Sequence, residues 1–361
     1  MTTTGVVAHL VLVALLGYLA WLTPVLSARS VRFGVRVPDD RIDDPVVRRE
    51  TTRFRTRVLA AGGIIALAGT GLILVAGIAV LAAGELAMLA AWYLLYLRAN
   101  RVITAAKRDQ DWYAGVRQGV AVDTSLRNDP PRFPWAWLLL PVLVVAATVV
   151  VGVLRYPGLP ATLPVHYAGG TADRFAPKSV GSAFGIVFVQ AVLTVVLGVS
   201  GVLVFRGPAD VDPARPAASA RAHRKFVSRL GTALIGLATL IDLGLFAAAW
   251  TIWDASPDTG LLLPLTIGPV AIGVALLVAV VAGRDRGPEP DEHTGLVHRD
   301  DDGNWIGGVL YRNAEDPSWF VARRFGAGWT VNVGNRVALV TCLGLTAAIV
   351  LLGLLLPVIL H

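Results

Sequence analysis

Residues Ala183 to Phe205 read AFGIVFVQAVLTVVLGVSGVLVF, a run without one charged side chain. A helix rises ~1.5 Å per residue, so a run of this length crosses the ~30 Å of hydrocarbon in a bilayer. In that solvent every backbone group needs an internal partner, which for a single segment means an α-helix. Seven further blocks share the pattern: Gly5–Leu26, Val58–Val80, Gly84–Leu97, Trp135–Leu154, Leu230–Trp250, Leu261–Ala282 and Val337–Leu360. The reading is an all-α polytopic membrane protein of about eight transmembrane helices, with a small cytoplasmic β-rich insert before the last one. Because Met1–Gly5 carries no basic side chain, the first block reads as a retained span rather than a cleaved signal.

Composition agrees with the blocks. Of 361 residues, 55% are hydrophobic and 16% charged, with a mean hydropathy of +0.63, which leaves too little polar surface to cover a water-soluble globule. The nearly unbroken stretch Val58–Leu97 would extend ~60 Å as one helix, twice the hydrocarbon thickness. A turn at Gly84 and Glu85 is therefore expected to fold it into a hairpin. Glycines within the blocks, such as Gly69, Gly77, Gly236, Gly273 and Gly344, suit close helix packing.

The net charge of +7 is distributed by loop. Lys and Arg number nine in Ala28–Arg57, seven in Arg98–Phe133, six in Arg206–Arg229 and seven in Gly283–Arg336, which is 29 of the 32. Arg155, Arg174 and Lys178 are the other three. Positive charge collects on the cytoplasmic side, so the expected topology has both termini outside, four cytoplasmic loops, and a cell-membrane location. Trp135, Trp250 and Trp253 near span ends fit interfacial anchoring. Basic residues beside apolar blocks, without base-stacking aromatics on a soluble face, point to lipid headgroups and away from nucleic acid.

Four regions follow. Residues 1–134 form an N-terminal three-helix membrane region with basic loops. Residues 135–282 form a four-helix membrane core with an outside loop at 155–182. Residues 283–336 form an aromatic and Gly-rich cytoplasmic domain of short strands and turns, and residues 337–361 the final span. The Pro, Ala and Asp-rich stretch Gly207–Ala220 reads as flexible linker.

The outside loop reads LPVHYAGGTADRFAPKSVG from Leu163 to Gly181. Prolines favour extended backbone before Gly169 and Gly170, which permit a sharp turn, and Ser182 can cap the next helix. A strand, a turn and a helix start would bring His166, Asp173, Arg174 and Lys178 together. Such a group is either a polar recognition site, with His166 able to change charge between pH ~5 and ~8, or a loop held shut by Asp173 pairing with Arg174 or Lys178. Pro164, His166, Gly170, Asp173 and Lys178 resemble the signature of the bacterial and archaeal membrane family known as domain of unknown function 1648. The last loop resembles domain of unknown function 5808 through Trp305, Gly307, Gly308, Tyr311, Asn313, Asp316, Pro317, Phe320, Val321, Arg323, Arg324, Gly326, Gly328, Thr330 and Asn332. A more distant similarity is to the SdpI-type peptide-toxin immunity and signalling proteins, and that resemblance implies a non-enzymatic sensor or immunity role.

Inside the membrane, Asp242 is the acidic residue deep within a span, and such a carboxyl faces a partner or a wet cavity. Thr239, one turn away, and Gln190 on the fifth span are its candidate partners. The chain lacks H-E-x-x-H, G-x-S-x-G and G-x-x-x-x-G-K-[ST], and its single cysteine, Cys342, permits neither a disulfide nor a cysteine metal site. No catalytic residue, metal or cofactor is therefore expected. His223, His293 and His298 read as solvated loop, and the Asp300–Asp302 run as a solvated or lightly cation-binding turn. The expected partners are the lipid bilayer, a secreted peptide or lipid-linked ligand at the outside loop, and a cytoplasmic regulator. The alternative is a small proton-linked transporter using Asp242.

Overall fold

The computed structural model describes residues 2–77, 81–121, 125–168, 171–207, 209–254, 262–283, 293–324 and 328–359. Its long helices are α1 (Thr2–Trp21), α2 (Pro45–Ala76), α3 (Leu81–Asp109), α4 (Leu139–Arg155), α5 (Val180–Phe205), α6 (Pro216–Trp253), α7 (Leu262–Ala282) and α8 (Arg336–Ile359). Among the described residues, five helical stretches are long and apolar enough to cross a membrane: Pro45–Ala76, Trp135–Gly158, Val180–Phe205, Pro216–Trp253 and Leu265–Ala282. Gly5–Trp21 and Arg336–Ala347 are shorter apolar helices. The protein is thus a mostly helical, multi-pass membrane protein. On α5, Phe188, Val192, Val195 and Val199 are more than half exposed although they are apolar. A helix with apolar residues on its outer as well as its inner face is one built to sit in lipid.

Local chemistry sets the helix ends. Asp44 accepts from the Val46 amide at 2.9 Å with Pro45 in the first turn, a favoured way to start a helix. The α2 helix stops at Gly77, whose φ of 79° suits a residue without a Cβ. The chain therefore leaves α2 at Gly77, and Gly84 and Glu85 lie within α3 rather than in the expected turn. Glu85 stays helical because α1 supplies a partner: its carboxylate faces the His9 ring.

Two bundles result. In the first, α1, α2 and α3 pack around Val13, Ala20, Phe54, Val58, Met88, Ala99 and Ile103. In the second, α5 buries Ala183, Val187, Gln190, Thr194 and Gly201, a stripe at helical spacing, against α4 and α6, while α7 lies on α6. Close approach depends on small residues. A Cβ on Gly273 would sit 2.6 Å from Leu237, and one on Gly152 would sit 2.7 Å from both Phe184 and Trp253, whereas Gly236 and Gly344 meet nothing nearby. Trp253 is 3% exposed and donates its indole N–H to the Ala183 carbonyl at 2.8 Å, so it is a packing residue rather than an interfacial anchor.

At one end of the bundles the basic connectors fasten to one another. Strands β1 (Val31–Arg32) and β2 (Val35–Arg36) form a ribbon that buries Val31, Phe33, Val35 and Val37. Strand β3 (Gln118–Gly119) pairs in parallel with β6 (Val297–His298), and Thr294 donates to the Pro213 carbonyl at 2.6 Å. Arg215 reaches Asp39 at 3.0 Å, and Arg36 reaches Asp210 at 2.9 Å. The stretch expected to be flexible linker is accordingly ordered where described: Val211, Ala214 and Ala220 are buried, and Pro216 already begins α6. Local composition suggested disorder, and long-range ion pairs override it. Residues 297–331 contain strands of only two or three residues, with β7 (Trp305–Ile306) paired to β8 (Leu310–Tyr311), and β9 (Phe320–Ala322) to β10 (Trp329–Val331). A 3-10 turn at Asp302–Asn304 leads into β7.

Candidate functional site

The opposite end carries a longer hairpin. Strands β4 (Thr162–Ala168) and β5 (Thr171–Pro177) run antiparallel, with register shifts on both sides of His166. Such irregularities re-aim a side chain. The expected turn at Gly169 and Gly170 lies outside the described residues. His166 Nδ1 sits 2.6 Å from Asp173 Oδ1, with the two side chains 50% and 44% exposed. Arg174 is the cross-strand neighbour of His166 and is exposed. The hydrogen bond from His166 holds the Asp173 carboxyl below its ordinary value.

Lys178 does not join this group. Its ammonium donates to the carbonyls of Pro157 at 3.1 Å and Leu159 at 3.2 Å, and stands 5.0 Å over the Tyr156 ring. It straps the base of the hairpin to the end of α4. Asp173 is paired with His166, in place of the expected Arg174 or Lys178. The cap of α5 is Ser179, whose hydroxyl accepts from the Ser182 amide while Ser182 Oγ accepts from the Ser179 amide, a reciprocal capping box. Ser182 is thus the second member of the cap instead of its first residue.

Within the second bundle, Asp242 from α6 meets α5 and, through Gln190, α4. Thr194 donates to Asp242 Oδ2 at 2.6 Å. The Gln190 amide donates to Thr148 Oγ1 at 3.1 Å and to the backbone carbonyl of Asp242 at 3.0 Å. Thr239, the local candidate, instead returns its hydroxyl to Ile235 of its own helix at 2.9 Å. Thr148 and Thr194 are cluster members that the sequence reading missed, since a threonine inside an apolar run carries no local mark of its partner.

The signature residues of the last connector form a structural knot. Asn332, fully buried, donates to the carbonyls of Asn313, Asp316 and Ser318, and accepts from the amides of Asn313 and Gly334. Tyr311 donates to Asp316 at 3.0 Å, and Trp305 donates to Asp301 at 3.1 Å. Arg324 is buried against Gly34, Asp301 and Asp302, with its guanidinium 4.8 Å over Trp305. Gly308 packs directly on Gly34. Gly328 takes a φ of 96°, and Arg323 is exposed. Phe325 and Gly326 lie outside the described residues.

The acidic run is not a solvated turn. Asp300 and Asp302 receive Lys107 at 2.7 and 2.5 Å, while Asp301 and Asp302 receive Arg324. Burial would raise the Asp301 carboxyl, but Arg324 and Arg36 outweigh it and hold the group below its ordinary value. His298 is likewise enclosed, between Asp210 and Asp212, and burial together with Arg36 pushes its imidazole below its ordinary value. Burial also opposes the charge on Arg36, yet Asp210 and Asp301 raise its pKa overall. The sequence offered little sign of these pairs, because Arg36, Lys107, Asp210 and Asp212 lie on other connectors and Arg324 is 22 residues from Asp302. Among the described residues no group of three or more His, Cys, Asp or Glu side chains could hold a metal.

Comparison with known proteins gives two matches. The model of a family described as Domain of unknown function (DUF1648) matches residues 143–191, and that of a Family of unknown function (DUF5808) matches residues 314–339. The first spans α4, the hairpin and the start of α5 through Gln190; the second spans Asp316, Arg324 and Asn332. These are the two families that the sequence resembles. No curated protein and no solved structure matches the chain.

Proposed function

We propose that this multi-pass protein is a non-enzymatic sensor or immunity-type protein of the cell membrane, whose β4–β5 hairpin engages an extracytoplasmic peptide or lipid-linked ligand. The observation that carries the reading is the half-exposed His166–Asp173 pair with Arg174 beside it. Three polar groups displayed on a rigid ribbon, strapped at its base by Lys178 and capped into α5 by Ser179, offer hydrogen bonds and charge to a partner arriving from water. Eight crossings with both termini outside remain the topology that this reading requires. It is supported by the fastening of four basic connectors to one another at the end away from the hairpin. The knot around Asn332 and Arg324 then braces the cytoplasmic side, where a regulator would read the state of the helices.

Deleting the gene and exposing cells to a panel of secreted killing peptides and envelope stresses tests the reading. Deletion should sensitise cells to at least one member of the panel. Wild type should restore resistance, and His166→Ala and Asp173→Ala, made at normal membrane level, should not. Unchanged sensitivity across the panel would sink the proposal.

A further inference from the structure

The middle of the α4–α5–α6 bundle holds oxygens that are only partly satisfied. Asp242 and Gln190 are both 0% exposed. Gln190 uses its amide donors on Thr148 and on the Asp242 carbonyl, and Thr194 satisfies Asp242 Oδ2. Left over are Asp242 Oδ1 and Gln190 Oε1, two buried acceptors with no donor among the described residues. A buried acceptor left unpaired is costly, and more so when it is charged. Trp135–Leu154, Ala183–Phe205, Leu230–Trp250 and Leu262–Ala282 contain no Lys, Arg or His, so the surrounding spans supply no counter-charge.

We propose that Asp242, Gln190 and Thr194 form an intramembrane binding site for a monovalent alkali cation, Na⁺. The donor set consists of hard oxygens alone, a carboxylate, an amide carbonyl and a hydroxyl, which excludes metals that prefer nitrogen or sulfur. One carboxylate balances one positive charge; a divalent ion would leave net charge stranded in the low-dielectric bundle. The competing occupant is a proton on Asp242. Thr194 Oγ1 donates to Asp242 Oδ2 at 2.6 Å, which leaves Asp242 Oδ1 available to either occupant. Towards the hairpin, Val187, Phe184, Ala249 and Trp253 close the cluster with an apolar plug, so the bound ion is occluded. This site stands independently of the ligand-engaging hairpin.

The test is ²²Na⁺ binding to the purified full-length protein in lipid nanodiscs, paired with thermal unfolding in NaCl and in choline chloride of equal ionic strength. Wild type should bind Na⁺ saturably and unfold at a higher temperature in NaCl. Asp242→Asn should lose both effects, and Thr194→Ala and Gln190→Ala should each weaken binding by about tenfold or more. Thr239→Ala, whose hydroxyl turns back to its own helix, should bind as wild type does. Absence of saturable binding in folded wild type overturns the proposal, as does a stabilisation that follows pH and ignores Na⁺. Should Asp242→Asn not fold, wild-type affinity in Thr194→Ala and Gln190→Ala has the same force.

Discussion

His9 Nδ1 lies 3.2 Å from Glu85 Oε1 and ties α1 to α3 inside the first bundle. The fully buried ring is flanked by Gly69 of α2 and Gly84 of α3, and a Cβ on either glycine would overlap it. Gly69→Ala should therefore destabilise the protein by roughly 1–3 kcal/mol through overpacking, read as earlier unfolding in a denaturing-detergent titration. Combining it with His9→Ala should cost less than the sum of the two single changes, because the smaller side chain vacates the overlap. Strict additivity would remove the contact from the account.

Asp173 should stay ionised at lower pH than a free aspartate, whose ordinary value is 3.8, because His166 hydrogen-bonds its charged form. The sign follows from linkage. A carboxyl lowered on folding contributes hairpin stability that is present above its unfolded value and lost as pH falls through the lowered one. Carboxylate infrared bands assigned by Asp173→Asn should show titration below 3.8 in wild type, moving upward in His166→Ala. The same titration in both proteins would mean that the contact does not persist in membranes.

Arg324→Gln should cost about 3–5 kcal/mol, since it strips a buried cation from Asp301 and Asp302. Limited proteolysis of membrane-embedded protein should then cleave within 293–324, which wild type resists. Asp301 is also held below 3.8, so its share of stability is present above the unfolded value and lost as pH drops through the lowered one. Protease resistance of wild type should accordingly fall in strong acid before the helices melt.

Gly34 and Gly308 both take positive φ, 77° and 71°, and a Cβ on Gly34 would lie 2.6 Å from the Gly308 Cα. Neither backbone can give way as a flexible side chain would. Gly34→Ala should speed hydrogen exchange both in 31–36 and in 305–311, with a loss of about 1–3 kcal/mol. Faster exchange confined to 31–36 would show that the two segments do not depend on each other.

Topology can be read with thiols. In a Cys342→Ser background, Val165→Cys should react with a membrane-impermeant maleimide on intact cells, and Trp319→Cys only after permeabilisation. Labelling of both on intact cells would overturn the proposed topology, and labelling of Trp319→Cys alone would reverse it.

The apolar blocks made the helices legible because lipid demands a property that any ~20-residue window displays. The chemistry between helices was less visible. Glu85 looked like the polar tip of a turn because a carboxylate in an apolar run is costly, and what reverses that judgement is His9, far away on α1. Asp242 was recognisable as unusual, but its hydroxyl partner proved to be Thr194 on another helix, since Thr239 satisfies itself locally. The hairpin read well, His166 and Asp173 standing two residues or fewer from the register shifts that bring them together. Lys178 read poorly, because carbonyls freed at the end of α4 compete for an ammonium as effectively as a carboxylate does. Asp300–Asp302 looked solvated for a related reason: of the cations that enclose it, Arg36 and Lys107 arrive from two other connectors and Arg324 from further along its own.

The grip of Arg324 on the Gly34 carbonyl also dictates a schedule for biosynthesis. The β1–β2 ribbon leaves the ribosome early and Arg324 late, tens of seconds apart at ~5–20 residues per second. Until then the Gly34 carbonyl lacks its buried donor, although Phe33, Val35 and Val37 can already pack against Phe54, Tyr96 and Trp112. This latch can close only after α1 to α7 have been synthesised, so the first connector takes its final form among the last parts of the protein.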